Sequence, residues 1–138
     1  MNILILIEMI FLHIIADYFL QGILANMKCK GWWMRKTTNE QPNKKYENDY
    51  KAALIAHSFE WTFIIMLPMF HQCYKREYMW VYAFSYIIMF VINTAFHYVI
   101  DDWKANKHSI NLIQDQLLHA LQIFVTWAMW TAIIGWYI

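Results

Sequence analysis

Four stretches of the chain, roughly 2–25, 52–70, 78–101 and 111–137, are apolar almost without interruption, and each is long enough to cross a bilayer. A hydrocarbon core needs about 20 consecutive apolar residues in a helix. Where no water reaches, only helices or closed barrels satisfy the backbone N–H and C=O groups. The stretches lack the alternation of barrel strands and are too long for them. The sequence therefore predicts an all-α fold, a four-helix transmembrane bundle forming a single integral membrane domain over 1–138. Composition agrees: charged residues make up 15% of the chain, against roughly 25% in soluble domains. A formal net charge of +1 gives no reason to expect a nucleic-acid partner. The expected partner is the lipid bilayer, and the sequence is compatible with a homo-oligomer.

The N-terminal segment carries Glu8, His13 and Asp17 and has neither a basic lead nor a small-residue cleavage site, so it reads as a retained first helix. The first loop, 27–50, is polar, with Trp32 and Trp33 suited to the headgroup level. Loop one holds Lys28, Lys30, Arg35, Lys36, Lys44, Lys45 and Lys51, and loop three holds Lys104 and Lys107. Loop two holds Lys75 and Arg76. The positive-inside rule then puts loops one and three in the cytoplasm and both termini outside. On this topology Cys29 and Cys73 face opposite sides and are not expected to pair.

The informative residues are the polar ones inside the apolar helices. His13, Asp17 and Gln21 are four apart; so are His97 and Asp101, and Asp115 and His119. His57 stands two turns inside the second helix, three residues before Glu60. Residues at i and i+4 share a helix face. With a rise of 1.5 Å per residue, most of these groups fall within a slab roughly 15 Å deep on the cytoplasmic side. All four helices can thus turn polar faces to one central cavity. A charge at mid-bilayer costs about 3 kcal/mol, so such residues face protein and find partners.

Imidazoles and carboxylates from facing helices suit a divalent metal such as zinc, manganese or iron. The candidate ligands are His13, Asp17, His57, His97, Asp101, Asp115 and His119. By ligand count two ions are conceivable. Gln21 and Gln116 would orient ligands or substrate, and Lys104 would meet an anionic group at the mouth. The alternative is a hydrogen-bonded network that only holds short helices together. Asn93 and Gln122 fit that role better than ligation, Glu60 fits either role, and His71 and His108 look like surface residues in loops.

The segments HIIADYFLQ (13–21), LIAH (54–57), HYVIDDWK (97–104) and DQLLH (115–119) resemble the ordered motifs of a bacterial and phage membrane family. That family is catalogued as domain of unknown function 3307. The resemblance covers about 13–120 and implies that His13, Asp17, Gln21, His57, His97, Asp101, Lys104, Asp115, Gln116 and His119 stand at motif positions. Loop one looks extended against the family pattern. No activity is implied.

These features lead to an expected intramembrane metal-dependent hydrolase acting on a lipid-linked or amphipathic substrate. The catalytic group would comprise Asp17, Asp101, Lys104, Gln21 and Gln116. A proton- or metal-ion transport element is the first alternative. A non-catalytic module docking a partner through loop one is the second.

Overall fold

The structure, a computed structural model, describes residues 3–36, 46–73 and 79–136. The side chains of Lys36 and Cys73, and all of Lys44, Lys45, Lys75 and Arg76, lie outside the described residues, and with them the expected loop-two charges.

The described chain is helical, with no strand. Helix α1 (Ile3–Ile15) continues into a π-helical turn, Ala16–Leu20. Two short helices follow, α2 (Leu24–Met27) and α3 (Lys30–Lys36), then three long ones: α4 (Asp49–Cys73), α5 (Met79–Ala105) and α6 (Leu112–Trp136). The segment Ile3–Leu20 and the three long helices are long and apolar enough to cross a membrane. α1 packs on α4 and α6, and α5 packs on α4 and α6, which closes a four-membered ring.

Each helix buries one stripe at three- and four-residue spacing, as a packed bundle requires. On α1 the stripe is Ile5, Met9 and His13, and Ala16 extends it into the π turn. On α4 it includes Leu54, His57, Trp61, Ile65 and Met69; on α5, Tyr82, Met89, Asn93, His97 and Asp101; on α6, Asp115, His119, Ile123, Thr126 and Trp130. One continuous core therefore changes chemistry along its length. One half is filled by Met, Ile and Trp, the other by His and Asp. Large apolar side chains such as Phe11, Phe63, Phe84, Phe96, Leu117 and Phe124 point outward, as expected where lipid is the solvent.

Three local features position the polar half. The first helix stops at Leu20, short of the expected residue 25, because Gly22 adopts φ +48°, which glycine takes without steric cost. The chain then turns back into α2. Helix α5 runs one turn past its expected end at Asp101, so Lys104 lies on the helix and not in a loop. Helix α6 starts with a reciprocal capping pair. Gln114 N donates to Asn111 Oδ1 and Asn111 N donates to Gln114 Oε1, both at 2.9 Å. Asn106 ties the α5–α6 turn to the segment after α2. Its amide donates to the Lys28 carbonyl at 3.1 Å, and its carbonyl oxygen accepts from Lys30 N at 2.7 Å.

Candidate metal centre

Helix spacing brings His57, His97, Asp101, Asp115 and His119 together as buried side chains, with Asp17 beside them on the π turn. The π turn adds width to the helix just where Asp17 enters the core, a common device at functional sites. Gln21 donates its side-chain amide to the Asp17 main-chain carbonyl, within this widened turn.

Two groups of ligand atoms converge. Those of Asp17, His57 and His97 lie within 4.8 Å of one another, as do those of His97, Asp101 and His119. His57 Nε2 is 3.6 Å from Asp17 Oδ1 and 3.4 Å from Asp101 Oδ2. His119 Nε2 is 3.4 Å from both Asp101 Oδ1 and Asp115 Oδ1. His97 Nε2 is 3.8 Å from Asp101 Oδ2. These separations exceed good hydrogen-bond lengths. A tetrahedral ion with bonds of about 2.0–2.1 Å spaces its ligand atoms about 3.3–3.4 Å apart, close to what is seen.

The hydrogen-bond inventory separates ligand candidates from holders. Both ring nitrogens of His57, His97 and His119, together with Asp17 Oδ1 and Asp115 Oδ1, are buried without a hydrogen-bond partner among the described residues. Leaving one such group unmade costs about 1–3 kcal/mol, so a cluster of them calls for an ion or water. Other carboxylate oxygens of the cluster carry hydrogen bonds. Lys28 Nζ donates to Asp101 Oδ2 at 2.6 Å and Lys104 Nζ to Asp115 Oδ2 at 2.6 Å. Gln116 Nε2 donates to Asp115 Oδ2 at 3.1 Å and, more weakly, to Asp17 Oδ2 at 3.4 Å. Outer contacts of this kind orient carboxylates toward a metal. The imidazoles are held differently, by ring contacts. Trp61 stacks on His97 at 4.1 Å and His97 on His119 at 4.4 Å, leaving the three Nδ1 atoms without the usual outer partner.

Several sequence expectations change here. His13, expected as a ligand, has both nitrogens engaged: Trp61 Nε1 donates to His13 Nδ1 at 2.9 Å, so His13 Nε2 donates to Gln116 Oε1 at 3.2 Å. It positions Gln116. Gln21, expected to orient ligands or substrate, bonds the Asp17 main chain within the π turn instead. Lys104, expected to await an external anion, already meets Asp115. Glu60 is half-buried and outside both ligand groups. Asn93 and Gln122 join α5 to α6: Gln122 Nε2 donates to the Asn93 main-chain and side-chain oxygens at 2.8 and 2.9 Å. His71 lies in the last turn of α4, and His108 in the α5–α6 turn with φ 53°; both are exposed.

Lys28 was missed, because a lysine at the edge of a basic loop reads as a topology signal. Trp61 was missed as a polar partner. Its signal was faint: an indole one turn beyond His57 on the same face.

Neither the family models, nor the curated proteins, nor the solved structures contain a match to this chain. The resemblance to the family of unknown function thus rests on the four motifs alone, and the site's chemistry on its geometry.

Proposed function

We propose that this protein is an intramembrane metal-dependent hydrolase acting on a lipid-linked or amphipathic substrate from the cytoplasmic side of a bacterial inner membrane, with both termini extracytoplasmic. One observation carries the reading: ligand atoms of Asp17, His57 and His97, and of His97, Asp101 and His119, converge in a buried core, where both nitrogens of the three imidazoles and Asp17 Oδ1 have no hydrogen-bond partner among the described residues. These residues would hold a divalent ion, zinc, manganese or iron, which would supply Lewis acidity and lower the pKa of a water near it. The chain supplies the rest. Lys28 and Gln116 hold the carboxylates in place, and the half-buried Lys104, already bonded to Asp115, would meet an anionic substrate group with its remaining N–H groups.

A transport element is the second reading, favoured by the alternation of Asp17, His57, Asp101, His119 and Asp115. The other half of the core argues against it. Ile65, Met66, Met69 and Ile123 are buried there, and the polar groups Asn93, Gln122 and Thr126 bond to one another and, among the described residues, not to a cluster ligand.

The test uses the full chain in detergent micelles with two amphipathic probes, p-nitrophenyl laurate and dodecyl p-nitrophenyl phosphate. Metal-dependent nitrophenol release, abolished in a His119→Gln variant that still inserts and folds, is expected. Glutamine keeps a hydrogen-bonding group but ligates poorly. A His119→Gln protein with undiminished metal and turnover would end the hydrolase reading.

A further inference from the structure

We propose that the cluster holds two divalent ions bridged by the carboxylate of Asp101. The inference rests on the metal-centre reading above and deepens it.

The ligand atoms divide into two halves around Asp101. Its Oδ2 lies 3.4 Å from His57 Nε2, which is 3.6 Å from Asp17 Oδ1. Its Oδ1 lies 3.4 Å from His119 Nε2, which is 3.4 Å from Asp115 Oδ1. An imidazole nitrogen thus sits between two carboxylate oxygens twice over. One imidazole nitrogen has one lone pair and binds one ion, whereas the two oxygens of a carboxylate can bind two. The atoms that converge within 4.8 Å are those of Asp17, His57 and His97 on one side and of His97, Asp101 and His119 on the other, so His97 lies between the two and completes one of them.

Satisfaction of buried groups points the same way. A single ion between His119 and Asp115 leaves Asp17 Oδ1 and His57 Nε2 buried without partners. A single ion on the other side leaves Asp115 Oδ1 and His119 Nε2 in that condition. Two ions satisfy both sets. Metal pairs of this kind stand about 3.5–4 Å apart, a distance one carboxylate can bridge. Lys28 also donates to Asp101 Oδ2, and an oxygen with two lone pairs accommodates an ammonium and an ion together. Two divalent ions and two ammonium groups outweigh three carboxylates, a surplus suited to an anionic substrate group.

The experiment loads full-length protein, purified without chelator, with Mn²⁺ and removes the excess by gel filtration. Metal is counted by mass spectrometry and the spins are examined by EPR. About two ions per chain, with an exchange-coupled spectrum, is the expected result. His57→Gln and His119→Gln should each retain one ion and lose the coupling. Asp17→Asn repeats the first loss should His57→Gln fail to fold. One uncoupled ion in the wild type overturns the pair and leaves the metal centre standing, with Asp17 and His57 as an acid–base dyad beside it. No ion overturns both, and variants that still hold a coupled pair overturn the ligand assignment.

Discussion

Replacing Lys28 with methionine separates the electrostatics of the centre from its packing. The Lys28 side chain is 10% exposed and its ammonium lies 2.6 Å from a carboxylate, Asp101, that is 3% exposed. Methionine keeps an unbranched apolar stem and removes only the charge and its hydrogen bond. Breaking a buried ion pair from one side costs about 3–5 kcal/mol, because the remaining charge has no compensation. That is the expected loss in chelator. With divalent ions bound, Asp101 keeps cationic partners, so the loss falls to about 1.5–3 kcal/mol, the worth of one charge-assisted hydrogen bond. Linkage then requires Lys28→Met to bind metal more tightly, by roughly tenfold for a difference of about 1.4 kcal/mol. The assay is SDS-induced unfolding in mixed micelles, followed by tryptophan fluorescence with and without Zn²⁺, alongside a direct metal titration. Equal destabilisation in both conditions, or weaker metal binding, would refute the placement of Asp101 as a ligand backed by Lys28.

Three further outcomes are expected. Trp61→Phe removes the donor to His13 Nδ1 and should destabilise the bundle by about 1–3 kcal/mol, while metal content measured by mass spectrometry stays unchanged because His13 is a holder. Gln122→Leu removes both hydrogen bonds to Asn93 and should cost about 0.6 kcal/mol and at most about 1.7 in the same unfolding assay, again with metal retained. A reporter fused after Ile138 should read extracytoplasmic and one inserted at Asn43 cytoplasmic; the reverse pattern would move the centre to the outer face.

Much of this arrangement is written in the chain's periodicities. The apolar runs mark the four helical segments long and apolar enough to cross a membrane. The four-residue spacings of His97 with Asp101 and Asp115 with His119 place each pair on one buried face, since that spacing has a single geometric meaning in a helix. What spacing does not encode is which buried polar group is a ligand and which is a holder. His13 and His57 look equivalent in the sequence; only the arrival of Trp61 from α4 and Gln116 from α6 occupies both nitrogens of His13. Lys28 reaches Asp101 only because the chain reverses at Gly22 and the segment after α2 is pinned by Asn106. That is a tertiary event with no periodic signature. The π turn at Asp17 is similar, since one wide turn leaves no repeat to read.

The most direct test of a His/Asp metal centre is X-ray absorption at the zinc edge on full-length protein purified in detergent and loaded with one equivalent of Zn²⁺. The expected first shell is nitrogen and oxygen at about 2.0–2.1 Å, without sulfur and with the outer-shell scattering of imidazole rings. His119→Gln should reduce that outer scattering. A shell of oxygen alone without imidazole features, or zinc that washes off entirely on gel filtration, would contradict the account.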